Sequence, residues 1–331
     1  MIRMRIDLGR AALALVLLVQ SPAYGFDLQG HRGARGLAPE NTLDAFELAL
    51  RLGVNTLELD LGMSRDDVLV VHHDLRLNPD MTRDAGGGYV SGTGSSIHSL
   101  TLAELQQYDV GRAKPGSRTA QTFPQQQPRD GARIPTLAEV FALAERLGSK
   151  DVRFNIETKL TPRSGAETPD PDTFARAVAD AVRAAGLTAR VTVQSFDWRT
   201  LAALRMIAPD IVRVCLTSEI PGFDTIERGK PGASAWTAGL DVDDFGGSTP
   251  RLAAAAGCQT WSPQFRNLTR AAVVDAHGLG LAVIPWTVNE PADLAQLIDM
   301  KVDGIITDYP DRARVVMQAK GMALPAPIPS P

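Results

Sequence analysis

Cysteine is scarce in this chain, and no apolar stretch is long enough to cross a bilayer. The 331 residues include two cysteines, so a small fold held together by several disulfides is excluded. Aromatic residues make up only 5% of the chain, but 44% of all residues are hydrophobic, which is ordinary for a globular protein. Basic residues are not in excess either. The formal net charge is -4, so the composition gives no sign of nucleic-acid binding.

The N-terminus has the three-part pattern of a secretory signal peptide. Arg3, Arg5 and Arg10 precede the apolar run of residues 11–19, and small residues around Gly25 follow it. We expect cleavage after Gly25 and a periplasmic or secreted mature protein with no stable membrane insertion. The alternative is a retained anchor, but the run falls short of the roughly 20 apolar residues that a spanning helix needs.

Two thiols remain after this cleavage, Cys215 and Cys258. An oxidising compartment would allow them to pair, but spacing alone does not fix pairing. We expect buried free cysteines on neighbouring strands, with a disulfide as the alternative.

Short β-like runs alternate with amphipathic helical stretches along the mature chain. This alternation, repeated eight times, predicts a TIM (β/α)8 barrel in a single domain at residues 26–320; a doubly wound open sheet is the alternative. An extra run at residues 68–74 is expected to form a hairpin beside the second strand. The eight strand candidates are residues 26–33, 56–63, 151–159, 190–196, 211–218, 258–264, 281–288 and 304–309.

Two connections are longer than ordinary loops. One is a long insertion after the second strand region, at about residues 75–134, and the other covers residues 219–248. Both follow strands, so we expect them over the carboxyl ends of the barrel as pocket walls or lids, with passive insertions as the alternative. The proline-rich residues 321–331 are expected to form a flexible C-terminal tail.

Acidic residues in two predicted strands are expected to point into the barrel. Side chains alternate along a strand, so Glu58 and Asp60 lie opposite a leucine face, and Glu157 shares the polar face of its strand with Lys159. Helices cover the outside of a barrel, so these carboxylates face inward, where burial without a partner is costly. Three oxygen donors without a thiol suit one divalent cation, Ca2+ or Mg2+. A salt-bridged polar layer is the alternative.

Two histidines end predicted strands, where barrel active sites gather. His31 closes the first strand and His73 closes the extra one. Because the carboxylates already suit the metal, we assign acid and base roles to both histidines. His72 should face the other way and is assigned to packing. The amides at the start of the first helix either hold an anion or are capped by Asn41.

Eight short motifs, in order from Gly30 to Pro310, together resemble the glycerophosphodiester phosphodiesterases. Each motif is weak alone, but they fall at the ends of successive predicted strands. The motifs are His31-Arg32-Gly33, Pro39-Glu40-Asn41-Thr42, Glu58-Leu59-Asp60, His73-Asp74, Glu157-Thr158-Lys159, Gln194-Ser195-Phe196, Trp286-Thr287 and Thr307-Asp308-Tyr309-Pro310. The resemblance implies a TIM barrel, a divalent cation and an insertion after the His-Asp motif.

The resemblance also implies an activity and a role for each candidate residue. The implied activity is metal-dependent hydrolysis of small-molecule glycerophosphodiesters, such as glycerophosphocholine and glycerophosphoethanolamine, to glycerol 3-phosphate and an alcohol. The implied roles are metal binding for Glu58, Asp60 and Glu157, acid–base catalysis for His31 and His73, phosphate contact for Arg32 and Lys159, and an aromatic wall at the alcohol for Trp286.

Other functions remain as alternatives. A phospholipase acting on intact lipids would use similar chemistry, but its mouth should carry exposed apolar residues, whereas the long loops here are rich in Gly, Gln and Asp. A periplasmic glycerophosphodiester-binding protein without catalysis would tolerate loss of a histidine. A retaining glycosidase would not need two histidines and an arginine beside its carboxylates.

Overall fold

The structure, a computed structural model, describes residues 25–329. Apart from Gly25, the predicted signal peptide lies outside the described residues. Within the described range, no helix has the length and apolar character that a bilayer crossing requires.

Parallel strands form the body of the fold. The strands are β1 (Asp27–Gly30), β2 (Thr56–Met63), β3 (Leu69–Val71), β4 (Arg153–Thr158), β5 (Val191–Ser195), β6 (Val212–Thr217), β7 (Glu219–Ile220), β8 (Phe223–Asp224), β9 (Thr260–Pro263), β10 (Ala282–Val283) and β11 (Gly304–Thr307). The barrel order is β10-β9-β6-β5-β4-β2-β1-β11, and β3 pairs antiparallel with β2. Neighbours in the barrel are therefore successive barrel strands in the chain, which confirms the TIM-barrel prediction and the expected hairpin.

Helices surround these strands. The α-helices are α1 (Leu43–Leu52), α2 (Leu102–Leu105), α3 (Arg118–Thr122), α4 (Leu137–Arg146), α5 (Pro171–Ala184), α6 (Trp198–Ile207), α7 (Thr249–Ala255), α8 (Arg270–Gly278), α9 (Pro291–Asp299) and α10 (Pro310–Ala319). Short 3-10 helices lie at Ile97–Ser99, Gly165–Glu167, Thr188–Arg190, Val242–Phe245 and Phe265–Asn267.

The main hydrophobic core lies between the strands and the helical layer. Leu57, Leu59 and Leu61 alternate along β2 and are fully buried in this core together with α1 residues such as Phe46. Strand alternation then directs the residues between the leucines toward the barrel axis. Burial of the leucine face thus determines which side of β2 carries the acidic groups.

The barrel closes where its last two strands meet, although β10 is short. We predicted a strand over residues 281–288, but regular pairing is interrupted at Pro285, which has no backbone N–H to donate. Backbone hydrogen bonds still join the two sides: Ile306 N donates to Pro285 O (3.0 Å), and Val288 N donates to Ile306 O (2.9 Å).

The insertion at residues 75–134 has a small core of its own. Its apolar side chains include Leu77, Ile97 and Leu105, which pack together under the loops. The insertion also contacts the loop that follows β1, because Gln127 N donates to Leu37 O at 2.8 Å. It therefore supports a loop at the carboxyl end of the barrel.

The C-terminal tail makes contacts with the rest of the chain, and its expected flexibility stays a prediction. Over its described part it packs against the amino end of the barrel: Arg314 Nη1 donates to Pro325 O (2.6 Å), and Ile328 N donates to Leu50 O (3.1 Å). The proline-rich sequence predicts an extended chain but does not reveal that its backbone groups find partners on α1 and α10.

The expectation of free cysteines is wrong. Cys215, in β6, and Cys258, just before β9, form a disulfide with a Cα–Cα distance of 5.9 Å. β6 and β9 are hydrogen-bonded neighbours in the barrel, so the fold brings the two side chains to a separation normal for disulfides. That adjacency is a property of the strand order, which cysteine spacing does not contain.

Candidate active site

Three carboxylates meet inside the barrel at the carboxyl ends of β2 and β4. The two strands are direct neighbours, and Asp60 lies opposite Glu157 in their register. Glu58 and Asp60 are each only 1% exposed and Glu157 only 7%. One oxygen from each carboxylate lies within 4.8 Å of the others. The inward orientation expected for all three acids is therefore found.

Glu58 is held in place by two donors. The backbone N–H of Arg32 donates to its Oε2 at 2.9 Å, and the side-chain amide of Gln194 donates to its Oε1 at 2.7 Å. The amide of Asn155 in turn donates to Gln194 Oε1 at 2.9 Å, which orients the NH2 group of Gln194 toward Glu58.

The loop after β1 requires unusual backbone conformations to make these contacts. Arg32 and Asn41 have φ values of 50° and 56°, in the left-handed region, and Gly33 has a φ of 88°. A Cβ on Gly33 would lie 2.5 Å from the backbone of Ala45 in α1, so only glycine fits there. This turn brings both Arg32 N and the Asn41 side chain to the carboxylates.

Two cations reach the carboxylate cluster. Arg32 Nε lies 3.1 Å from Asp60, and Lys159 Nζ lies 2.7 Å from Glu157 Oε1 and 3.8 Å from Asp60 Oδ1. The same Arg32 side chain donates to Glu40 at 2.7 Å, and Glu40 also pairs with Arg35. The two predicted phosphate contacts, Arg32 and Lys159, thus lie beside the predicted metal ligands.

The three carboxyl groups differ in their proton affinity. Burial raises the pKa of Glu58 well above its usual value, and the neighbouring Asp60 and Glu157 carboxylates raise it further. Burial also raises the pKa of Glu157 to about 7, although Lys159 opposes the shift. Burial disfavours the charge of Asp60 as well, but Arg32, Lys159 and the two histidines together outweigh burial and hold that pKa below its ordinary value. Burial and mutual repulsion therefore oppose full ionisation of all three carboxyl groups when no cation is bound.

His31 is paired with a carboxylate at the end of β11. Its Nδ1 lies 2.6 Å from Asp308 Oδ1, and Asn289 donates to the other oxygen of Asp308 at 2.7 Å. Its Nε2 lies 3.9 Å from Glu58 Oε2, on the side of the carboxylate cluster. Burial lowers the pKa of His31, although Asp308 opposes this effect.

His73 has a similar partner. Its Nδ1 lies 2.7 Å from Asp74 Oδ1, and Asn78 donates to Asp74 Oδ2 at 2.7 Å. Burial and the nearby Arg32 charge lower the pKa of His73 to about 4. His72 is buried beside it with Nε2 3.4 Å from Arg76 O, in agreement with the packing role that we expected.

A cavity of about 470 Å3 joins these groups. Its polar lining includes both histidines, Arg32, Lys159, Glu58 and Glu157. The remaining lining is largely apolar and includes Phe196, Phe223, Trp236 and Trp286. Ile220, Phe223 and Trp236 come from residues 219–248, so this segment forms a cavity wall, as expected.

Several polar residues of the site make contacts that the sequence analysis did not predict. Asn41, expected as a helix cap, instead donates to Asp60 Oδ2 at 2.8 Å, and Thr42 caps α1 by accepting from Ala45 N. Gln194 and Asp308 contact Glu58 and His31, as described above. All four lie within the recognised motifs, which was the signal for them, but their partners are distant in sequence.

Fold and site together define an enzyme of the TIM-barrel class with its reactive groups at the carboxyl ends of the strands. The model of the glycerophosphoryl diester phosphodiesterase family matches residues 31–312. The chain therefore belongs to this family, and its activity is that of a glycerophosphodiester phosphodiesterase, a phosphoric diester hydrolase.

Curated relatives agree with this assignment. A glycerophosphodiester phosphodiesterase of Bacillus subtilis (strain 168) is 30% identical over 292 residues, which cover 85% of this chain and 83% of the relative. Another, from Caldanaerobacter subterraneus subsp. tengcongensis, is 29% identical over 283 residues and covers 85% of this chain and 93% of the relative.

Solved structures share the fold. A candidate glycerophosphoryl diester phosphodiesterase from Silicibacter pomeroyi DSS-3 has a TM-score of 0.79 and 34% identity, covering 90% of this chain and 95% of that one. A phosphodiesterase from Oleispira antarctica, in complex with the product sn-glycerol-3-phosphate, has a TM-score of 0.63 and 23% identity, covering 88% and 96%. At that identity the likeness concerns the fold alone.

Proposed function

We propose that the protein hydrolyses glycerophosphodiesters to glycerol 3-phosphate and an alcohol with one divalent cation, and that His31 and His73 are the general acid and base. The observation that carries this proposal is a single cavity lined by both histidines and by two of the three clustered carboxylates. The Oleispira antarctica structure with sn-glycerol-3-phosphate supports the choice of product.

The carboxylate cluster fits a hard cation. Its donors are all oxygens, and an ion with bonds of about 2.3–2.6 Å, such as Ca2+, reaches oxygens that lie within 4.8 Å of one another. Glu58, Asp60 and Glu157 would hold the cation, either Ca2+ or Mg2+. The bound ion would neutralise charge on the phosphate oxygens during hydrolysis.

Charge balance supports the same assignment. Glu40, Glu58, Asp60 and Glu157 carry four negative charges when ionised, and Arg32, Arg35 and Lys159 carry three positive charges. A divalent cation and a singly charged diester bring the sum over these residues to zero, while Asp308 and Asp74 are paired separately with His31 and His73.

The two histidines divide the proton transfers. In each ring Nδ1 faces a carboxylate, so Nε2 is the atom available to exchange a proton with the reactants. His73, whose pKa is about 4, is neutral at pH 7 and suits the base that activates the nucleophile. Asp308 opposes the decrease that burial causes in the pKa of His31, and so favours the imidazolium that would protonate the leaving alcohol. Arg32 and Lys159 orient the phosphate, and Trp286 borders the alcohol.

The partners and location proposed here follow from the sequence. The signal-like residues 1–25 support a periplasmic or secreted enzyme cleaved after Gly25. Its partner would be a small-molecule glycerophosphodiester rather than nucleic acid or the membrane interior.

One experiment tests this function directly. Purified protein is incubated with glycerophosphocholine and Ca2+ or Mg2+, and free glycerol 3-phosphate is measured with and without a chelator. We expect release that the chelator abolishes and that added cation restores. Glu157→Gln should lose cation affinity, whereas the matched control Asp243→Asn, at an exposed position outside the cavity lining, should not. Release that is insensitive to the chelator would contradict the metal dependence.

A further inference from the structure

Four aromatic side chains form a continuous chain of edge-to-face contacts in the cavity wall. Phe196 contacts Phe223 and Trp286 with ring centroids 5.0 and 5.2 Å apart, and Phe223 contacts Trp236 at 5.8 Å. The interplanar angles are 68°, 82° and 90°. All four residues line the same cavity, and together they form its aromatic cage.

Two rings of this cage, Phe223 and Trp236, are fixed by backbone contacts of the 219–248 segment. Phe223 begins β8, which pairs antiparallel with β7 in a two-stranded hairpin, and the hairpin is anchored where Thr225 N donates to Ser218 O at 2.8 Å. Trp236 is anchored to α6, because Trp198 N donates to Trp236 O at 2.8 Å. The cage is thus assembled from separate parts of the chain and does not depend on one flexible loop.

The cage offers ring surfaces and little hydrogen bonding. All four rings are only half-buried although they are apolar, and all line the cavity. The indole N–H of Trp286 is already used, since it donates to Ser262 O at 3.0 Å. Exposed aromatic surface of this extent inside a cavity indicates a ligand.

The charged groups of the cavity are already engaged. Every charged residue that lines it belongs to the carboxylate cluster, to the histidine pairs or to the Arg35–Glu40 pair. Asp74 is the one described lining carboxylate outside the cluster, and its two oxygens already face His73 Nδ1 and the Asn78 amide. A primary ammonium beside the rings would therefore lose hydrating water and gain no unpaired carboxylate in return.

We propose that Phe196, Phe223, Trp236 and Trp286 form a subsite for a quaternary ammonium on the leaving alcohol, so that choline esters are preferred. The inference rests on the proposed hydrolysis of glycerophosphodiesters and specifies its substrate class. A trimethylammonium group has no N–H to satisfy, is weakly hydrated, and is attracted to ring faces. Ethanolamine and glycerol headgroups have the same phosphate but lack these properties.

A comparison of substrates with different headgroups tests the subsite. With cation present, kcat/KM is measured for glycerophosphocholine, for glycerophosphoethanolamine, and for the glycerophosphodiester of 3,3-dimethylbutanol, the neutral isostere of choline. We expect glycerophosphocholine to exceed each of the other two by about tenfold, the scale of a desolvated cation–π contact. Equal values for choline and ethanolamine esters would overturn the subsite, and equal values for choline and its isostere would overturn the attraction of the charge.

Substitutions in the cage test whether its rings cause the preference for choline esters. Phe223→Leu and Trp236→Leu keep apolar volume but remove the ring face, so each should reduce the choline-to-ethanolamine ratio of kcat/KM about threefold to tenfold. Phe26→Leu, a half-buried phenylalanine that immediately precedes β1, is the matched control and should leave that ratio as in the wild type. Unchanged ratios in both cage variants would place choline recognition elsewhere and refute the proposal.

Three outcomes separate the subsite from the reaction and from a lipid source. If no glycerophosphodiester is hydrolysed, the proposed function itself fails. If all are hydrolysed equally, only the subsite fails. Micelles of lysophosphatidylcholine carry the same headgroup, and turnover equal to that of glycerophosphocholine would show that the cage serves lipids and would overturn the choice of a soluble substrate.

Discussion

Each histidine of the site is one member of a pair, and its carboxylate decides which nitrogen does the chemistry. Asp308 and Asp74 each face Nδ1, and each is held by an asparagine amide. Such second partners fix ring orientation and favour one tautomer. Nε2 of His31 and Nε2 of His73 are therefore the atoms that we propose exchange protons with the reactants.

Removing either ring should stop proton transfer without emptying the cation site. His31→Ala and His73→Ala should each lower turnover by at least about a hundredfold, the usual scale for loss of a general acid or base. Cation content, measured by atomic emission on dialysed protein, should stay at the wild-type value. A variant that loses cation and activity together would identify its histidine as a ligand instead.

Cation affinity should increase with pH. In the cation-free protein burial raises the pKa of Glu157 to about 7 and raises that of Glu58 as well, so both tend to hold protons in mildly acidic solution. Because a ligand carboxylate must release its proton to bind metal, affinity should rise from about pH 5 to 7 as Glu157 loses its proton.

The same shifts set the pH dependence of stability without cation. A carboxyl group whose folded pKa lies above its unfolded value contributes stability below about pH 4.5 that is lost as pH rises through about 7.

The predicted pH dependence of cation affinity is tested by calorimetric titration with Ca2+. Titration in two buffers of different ionisation enthalpy measures the protons that are released when the cation binds. An affinity that is constant from about pH 5.5 to 8 would contradict the assignment of Glu157 as a ligand.

At the scale of elements, α1 connects the helical layer to the site. Its cap, Thr42, is fully buried, accepts from Ala45 N at 3.2 Å and donates to Pro39 O at 2.6 Å. Asn41 immediately before it reaches Asp60. The start of this helix therefore positions the loop that carries Arg32.

Losing that cap should affect both stability and activity. Thr42→Ala should lower the free energy of unfolding by about 1–2 kcal/mol, the upper part of the range for a cap. It should also lower kcat/KM, because the loop after β1 loses an anchor. Thr269→Ala removes the exposed cap of α8, which also accepts an N3 amide at 3.2 Å, and should lower stability with activity unchanged. Equal activity in both variants would show that the cap does not position the site.

At the scale of the whole molecule, the disulfide links the neighbouring barrel strands β6 and β9. It closes a loop with a sequence separation of 43 between Cys215 and Cys258, and links of this kind typically stabilise by about 2–4 kcal/mol. The double variant Cys215→Ala/Cys258→Ala should lose that amount of unfolding free energy in urea and keep its activity at 25 °C, since neither residue lines the cavity. Two reactive thiols in protein purified from an oxidising compartment would contradict the pairing.

The sequence predicts the individual strands better than it predicts the contacts between them. The leucine alternation in β2 predicted both the outer core and the inward direction of Glu58 and Asp60, because side-chain direction along a strand is a local property. Pro285 shows the limit even there, since it shortens a strand that the apolar run alone would extend.

The sequence by itself determined the number of strand–helix units, the inward carboxylates and the positions of the histidines at strand ends. Only the tertiary structure decided that Asn41 reaches Asp60, that Asp308 pairs with His31, that the two cysteines bond, and that the tail lies on the barrel. The physical reason is distance along the chain: periodicity reports the faces of one element, whereas these contacts depend on the register and packing of elements that are far apart in sequence.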